Sequence, residues 1–363
     1  MIIFIYGTTA EAIKLAPIAR RLDARGIPYQ QWITQQHTVA LRTAMVELGL
    51  PAPDEVIADG WRGKPLKSPW QMLGWTMDVA WWTVTHVMKK RKSVPAHSVV
   101  LVHGDTVTTV LGTMIGRLMG LPVGHVEAGL RSGDWRNPFP EELDRRIVGR
   151  LARFHYAPSE EAMSNLHGRR NVVFTNGNTV VDAVRDSAGT LQDAGDRYGL
   201  VLLHRFEFIS NSSLVEETLR TIQEVSPLPM RIIVDAYSRD AVTAGVRDWG
   251  LTKFTVEPKQ DHATFVNTLR AASFVITDSG GVQEESSVFG IPTLIHRRAT
   301  ERSEGLGSSA ILSEWDMATV RRFLEGWADL RAPERDESAS PSDIIVADLV
   351  SRGFGARNDG SAS

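Results

Sequence analysis

The chain has 363 residues, 42% hydrophobic and 23% charged, with a formal net charge of −3 and no cysteine. That length exceeds a usual single core and points to about two domains of roughly 150 to 200 residues. The charge balance offers no basic face for nucleic acid. The missing cysteines exclude disulfides, thiolate nucleophiles and cysteine zinc sites, as fits a cytoplasmic protein.

The opening run MIIFIYG meets glycine too early for a signal peptide or membrane span and reads as a strand. Residues 6–22, YGTTAEAIKLAPIARRL, then feed a helix carrying Lys14, either a cation for an anionic ligand or an ordinary surface lysine. PYQQWIT reads as the next strand. PWQMLGWTMDVAWWTVTHVMKK holds four of the ten tryptophans but is broken by Asp78, Thr83, Thr85 and His86, too polar for a span. It reads as a core helix with one wide apolar face. A subunit interface, where tryptophan is enriched, and a membrane contact are the alternatives.

SVVLVHGD, PVGHVEAG and RFHYAPS continue the strands, VVLV having the unbroken apolar run of a buried parallel strand. Asp105, where the first of these ends, either caps the next helix or faces a cleft. Residues 122–152 gather Glu127, Arg131, Asp134, Arg136, Glu141, Glu142, Asp144 and Arg145 between an apolar strand and an apolar helix. Pro140 suits a first helical turn, where the dipole favours Glu141 and Glu142, and Glu141 shares a face with Arg145. A solvated, salt-bridged helix start is one reading. The other is acid–base chemistry, one acid removing a proton and another supplying one, their pKa values pushed apart by burial and repulsion.

After NVVFTNGNTVVDAVRDSAGTLQDAGDR the scheme restarts with YGLVLLHR, PMRIIVDA, KFTVEP, SFVITDSGG and PTLIHRR. Strand–helix alternation in both halves predicts an α/β chain of two Rossmann-like doubly wound domains with a cleft between them. The expected domains are 1–180 and 198–340, joined near 176–198, with a last helix at about 342–355 packing back on the first, and a tail at 356–363. His204 and Arg205, ending the strand in VLLHRFEF, suit a phosphate or a structural cap. In TDSGGVQEESSVFG the Ser279, Gly280 and Gly281 amides open a helix whose N-terminus favours a diphosphate, and Glu285 one turn on can accept from ribose hydroxyls. A plain strand-to-helix turn is the alternative. IHRRATERSEG, an Arg-rich loop after a strand, reads as an anion clamp or a lid. There is no metal-ligand pattern and no G-x-G-x-x-G.

Together GTTAEAIKLAP, VHGDT, GHVEAGLRSGD, PFPEELDRR, GNTVVDAV, LLHRFE, TDSGGVQEE and TERSEG resemble the UDP-N-acetylglucosamine 2-epimerase family, in that family's order up to about residue 305. The resemblance implies GT-B architecture, a UDP-sugar substrate, neither NAD nor an essential metal, and a homodimer. It implies elimination of UDP to a 2-acetamidoglucal, then re-protonation and return of UDP. Asp105, Glu127 and Glu141 match the family's catalytic acids, and His204 its strand-end histidine. Lys14, Arg145 and Arg302 match basic residues around the substrate, Ser279, Gly280 and Gly281 the phosphate cradle, and Glu285 the ribose carboxylate. Gln260 and Phe265, in EPKQDHATF, match the uracil segment. The chain departs from the pattern at Thr9 and Ala10, for the usual Arg-Pro, at Phe206, for a second arginine, and at Asp144, for asparagine. The N-P-x-V segment is not visible in VDAYSRDAV. Of the family's regulatory site Gln36 and His37 remain, while Thr38 replaces the usual arginine. The rival functions are a hydrolysing 2-epimerase, a GT-B glycosyltransferase and a non-catalytic UDP-sugar binder.

Overall fold

The computed structural model describes residues 1–36, 38–64, 66, 68–133, 140–189, 197–235, 238–300, 302–334 and 340–355. The chain forms two compact units, Met1–Ala183 with Ser338–Ser363, and Val184–Glu337. The expected tail, 356–363, lies outside the described residues, as do His37, Asp134 and Arg136.

The first unit runs β1 (Ile2–Tyr6), α1 (Thr9–Ala24), β2 (Tyr29–Ile33), α2 (Thr38–Glu47), β3 (Glu55–Val56), α3 (Pro69–Ser93), β4 (Val99–His103) and α4 (Val107–Leu118). It continues with β5 (Val123–Val126), α5 (Glu141–Leu151), β6 (Phe154–Ala157), α6 (Glu160–Asn165) and β7 (Val172–Phe174), and the division after Ala183 falls within α7 (Val180–Ser187). Its seven strands pair in the order β3-β2-β1-β4-β5-β6-β7, all parallel. Successive side chains of β1 enter two cores. Ile2, Phe4 and Tyr6 meet Leu15, Ile18 and Leu22 of α1; Ile3 and Ile5 meet Trp75 and Val79 of α3 and Ile115 of α4. Helices on both faces are why β1 reads as an unbroken apolar run. No β1 residue is more than 1% exposed, and full burial of each contributes roughly 1.5–3 kcal/mol. Ile345, Val346 and Leu349 join the first of these cores, and Arg21 of α1 pairs with Asp343 at 3.2 Å.

The second unit runs β8 (Gly199–Leu202), α8 (Phe206–Ile209), α9 (Ser212–Val225), β9 (Met230–Val234), α10 (Arg239–Asp248), β10 (Phe254–Pro258) and α11 (His262–Ala271). Then come β11 (Phe274–Thr277), α12 (Gly280–Val288), β12 (Thr293–Ile295), β13 (Ala310–Leu312) and α13 (Met317–Gly326). The C-terminal helix α14 (Pro341–Ser351) belongs to the first unit. The second sheet has the order β10-β9-β8-β11-β12-β13, again all parallel. In each unit the strand order reverses once, between β1 and β4 and between β8 and β11. Beyond the carboxyl ends of the strands at such a point is where doubly wound sheets bind ligands.

Helix α3 differs from its expectation. Trp75, Val79, Trp82 and Val87 are buried, but Trp70, Leu73, Met77, Trp81, Val84 and Met88 are between 52% and 80% exposed. Apolar side chains therefore line two sides of α3, and only one is used within the unit. Among the described residues no helix is long and apolar enough to cross a membrane.

Candidate active site

In the first unit the switch point is fastened by an acid. Thr8 and Glu11 form a capping box at the start of α1. Glu11 Oε2 accepts from the amides of Gly7 at 3.0 Å and Thr8 at 2.8 Å, and from Thr8 Oγ1 at 2.8 Å. Its other oxygen accepts from Thr106 Oγ1 at 2.8 Å, in the loop after β4. Burial raises the Glu11 pKa, against these hydrogen bonds. The side chain of Thr106 accepts from the amide of Thr109 and caps α4. Asp105 therefore does not have that task.

Two ion-paired groups lie at the carboxyl ends of β4 and β5, adjacent strands in register from Val100↔Val123 to His103↔Val126. In one, Lys14 Nζ meets Glu127 Oε2 at 2.7 Å, both side chains buried. Asn178 donates to the same oxygen, and His103 Nε2 is 3.4 Å from it. Glu127 has φ 65, a left-handed conformation that costs a non-glycine residue about 1–3 kcal/mol and recurs where side chains are held for use. The next turn is tight at Gly129, φ 90, where an added Cβ would stand 2.2 Å from the Ala162 carbonyl oxygen. His125 is fully buried, its pKa pushed down to about 4 by burial. Its Nε2 is 2.7 Å from the Gly104 carbonyl, which can only accept, so Nε2 carries the proton and ties β5 to the loop bearing Asp105.

The second group centres on Arg145, which pairs with Asp105 and with Glu142 at 3.5 Å. Fully buried Glu142 also meets Arg146 at 2.9 Å and the Ser132 amide at 3.1 Å. The expected pairing of Glu141 with Arg145 along one helical face gives way to these contacts: Glu141 Oε2 is buried without a hydrogen-bond partner among the described residues. Asp144 is buried beside them. Desolvation, then the charges of Asp105 and Glu141, push its pKa up to about 7. Thr9, in place of the resembled family's arginine, has a buried, unpartnered Oγ1 among the described residues.

In the second unit Asp278 fastens the switch point. Its carboxylate accepts from the amides of His204 and Arg205, each at 2.9 Å, and its pKa is raised by burial, against the His204 charge and these bonds. His204 Nδ1 is 3.6 Å from Asp278 Oδ1. Ser279 caps α12 through the amide of Val282, so the amides of Gly280 and Gly281 open the helix. A Cβ added at Gly281 would meet only Ser279 Oγ, at 3.8 Å. One turn on, Glu285 Oε1 is 3.2 Å from His262 Nε2. Arg302 pairs with Glu284 at 2.8 Å, and its carbonyl accepts from Gln283 Nε2 at 3.1 Å, tying the Arg-rich loop to α12. Gln260 Nε2 donates to Glu257 at 3.1 Å, and Phe265 is half-buried on α11.

The candidate residues thus fall into two sets: Lys14, Asp105, Glu127, Glu141 and Arg145 in the first unit, and His204, Gln260, Phe265, Ser279, Gly280, Gly281, Glu285 and Arg302 in the second. Reasoning from sequence passed over Glu11, Asn178, Asp278 and His262. Of these only Glu11 carries a local signature, Thr-x-x-Glu before a helix; the others depend on long-range contacts.

Residues 66–329 match the family model described as UDP-N-acetylglucosamine 2-epimerase. The UDP-N-acetylglucosamine 2-epimerase of Yersinia pestis is 32% identical over 334 residues, spanning 86% of this chain and 85% of the relative. The chain belongs to the UDP-N-acetylglucosamine 2-epimerase family. It is accordingly an epimerase. The Bacillus subtilis member is 33% identical over 332 residues, 85% of this chain and 81% of its own. Among solved structures, the Neisseria meningitidis UDP-GlcNAc 2-epimerase bound to UDP-GlcNAc superposes with a TM-score of 0.78 at 25% identity, covering 96% of this chain and 99% of that one. An S. aureus MnaA–UDP co-structure gives 0.77 at 25% identity, covering 96% and 95%. The fold is that of this epimerase family, two doubly wound α/β units of GT-B type.

Proposed function

We propose that the chain interconverts UDP-GlcNAc and UDP-ManNAc. A carboxylate of the first unit takes the C2 proton, the C2–H electron pair becomes the C1=C2 bond, and the C1–O bond breaks with its pair leaving on UDP. Re-protonation of the glycal on its other face, with UDP returning to C1, gives the epimer. In this reading Asp105, Glu127 and Glu141 serve the sugar carbons, with Lys14 and Arg145 limiting the cost of their charge. The amides of Gly280 and Gly281 with Ser279, together with His204 and Arg302, hold the diphosphate, Glu285 holds the ribose, and Gln260 and Phe265 hold the base. The C2 proton is weakly acidic, so a positioned base has to act together with a stabilised leaving group.

The observation that carries the reading is the gathering of acids and their cations at the carboxyl ends of β4 and β5. A glycosyltransferase needs a helix N-terminus for its nucleotide but not this acid set. The test is NMR of UDP-GlcNAc incubated with the enzyme. Accumulating UDP-ManNAc supports the proposal; free N-acetylmannosamine with UDP means the hydrolysing reaction; an unchanged sugar moved to an acceptor means a transferase.

The same reading includes a homodimer and a cytoplasmic location. The six exposed apolar residues of α3 recur at intervals of three, four, four, three and four, the spacing of a helical seam, and a second copy of this helix is the proposed occupant.

A further inference from the structure

We propose that Asp144 is a further positioning residue of this reaction: a carboxylic acid whose O–H bonds to one of its two acidic neighbours, Asp105 and Glu141, and so fixes which of them carries negative charge. Asp144 lies near the start of α5 and is 6% exposed. Its Oδ2 has no hydrogen-bond partner among the described residues, nor has Oε2 of Glu141. Buried polar atoms stripped of water ordinarily find a partner. Two buried carboxyl oxygens left over in one neighbourhood point to a proton held there.

The charged surroundings agree. Among the described residues the groups whose charge reaches Asp144 are both acids, Asp105 from the loop after β4 and Glu141 on α5 itself. The nearby cations face elsewhere: Arg145 meets Asp105 and Glu142, and Arg146 and Arg131 meet Glu142. Among the described residues no cation is ion-paired to Asp144. Burial first, then the two acids, move its pKa to about 7, so its proton is held in mildly acidic solution, half lost at neutral pH and gone above it. The protonated form supplies a donor to an oxygen that otherwise has none. The ionised form removes that donor and adds a third negative charge beside two acids. The turnover rate should therefore have an alkaline limb belonging to Asp144, a group outside the acids already assigned. A carboxamide at this position would donate at every pH and never ionise.

This rests on the epimerase reading for its kinetic arm only. Turnover of UDP-GlcNAc would be followed against pH for the full chain and for Asp144→Asn and Asp144→Ala. A second arm, free of substrate, is the infrared difference between the full chain and Asp144→Asn, read at the carbonyl band of a protonated carboxylic acid from about pH 5 to about pH 9. The wild-type rate should fall above about pH 7, and Asp144→Asn should carry its alkaline limb at least about one unit higher, its peak rate lowered by less than about tenfold. Asp144→Ala, without a donor, should be slower than Asp144→Asn below about pH 7, with equal thermal midpoints. The acid band should fade between about pH 6 and about pH 8 in the wild type. An identical limb in wild type and Asp144→Asn, equal rates for the alanine and asparagine variants, or no such band would overturn the proposal. If the wild-type chain itself does not turn over the sugar, the epimerase reading fails, and the infrared arm still decides whether Asp144 holds a proton.

Discussion

Replacing Lys14 by methionine removes an ammonium from Glu127 while leaving the aliphatic stem that α1 buries. Lys14 is 8% exposed and Glu127 5%, with the charged atoms 2.7 Å apart. Breaking one side of a buried pair costs about 3–5 kcal/mol, because the remaining charge is left without its counter-ion. Asn178 still donates to Glu127 after the change, which puts the cost at the lower end, about 3 kcal/mol. That is a large share of the 5–15 kcal/mol typical of a whole domain. Glu127→Gln alone should cost less, and the double variant should recover part of the Lys14→Met loss, since no unpaired charge is then buried. The assay is a double-mutant cycle by urea unfolding, following a probe in the first unit. UDP affinity, assigned to residues of the second unit, should hold throughout. A Lys14→Met loss under about 1 kcal/mol, or a double variant less stable by the sum of the two single losses, would refute the account of Glu127 as a buried, paired carboxylate.

Glu141→Gln should slow C2–H exchange by about 10²- to 10⁴-fold, the usual share of one acid–base group, with UDP binding by calorimetry intact; exchange at the native rate would remove Glu141 from the chemistry. Gly129→Ala, forced to φ 90 against the Ala162 carbonyl, should lower stability by about 2–5 kcal/mol, read as a drop in the thermal midpoint. Burial holds His125, His155 and His296 at about 4. A folded pKa below the unfolded 6.5 means the unfolded chain binds more protons, so stability is intact above about pH 6.5 and falls as pH drops towards 4. The limit is about 3 kcal/mol for each group, and a thermal midpoint that stays flat across that window would contradict it. If α3 is the seam of the proposed dimer, Trp81→Glu, on its exposed side, should halve the mass seen by light scattering; an unchanged mass would exclude that helix from the proposed seam.

Most strands were legible because both faces of each sheet are covered: VVLV and FVIT read as strands from composition alone. The three that were missed are edge strands too short to carry a pattern, the two-residue β3 and the three-residue β7 and β13. The apolar segment of α3 gave its length but not its sides, because Trp81 and Trp82 are neighbours in sequence and face opposite ways, 72% and 7% exposed. At the site, Asp105 and Glu127 stood out in the sequence as acids at strand ends, and both lie in ion-paired groups at the carboxyl ends of β4 and β5. The roles of their neighbours were not legible. Arg145 turns to Asp105, 40 positions earlier, and Asn178 reaches Glu127 from 51 positions away. The two acids that hold the switch points, Glu11 and Asp278, look like ordinary helix-start and strand-end residues until the amides they accept from are known.

The most direct test of the central claim is the sugar's C2 hydrogen. With UDP-GlcNAc in D2O, proton NMR should show the C2 signal disappearing as solvent deuterium enters, in both UDP-GlcNAc and newly formed UDP-ManNAc, as reversible elimination through a glycal demands. A C2 proton retained in full while the sugar is converted or transferred would mean that no acid of the first unit ever removes it.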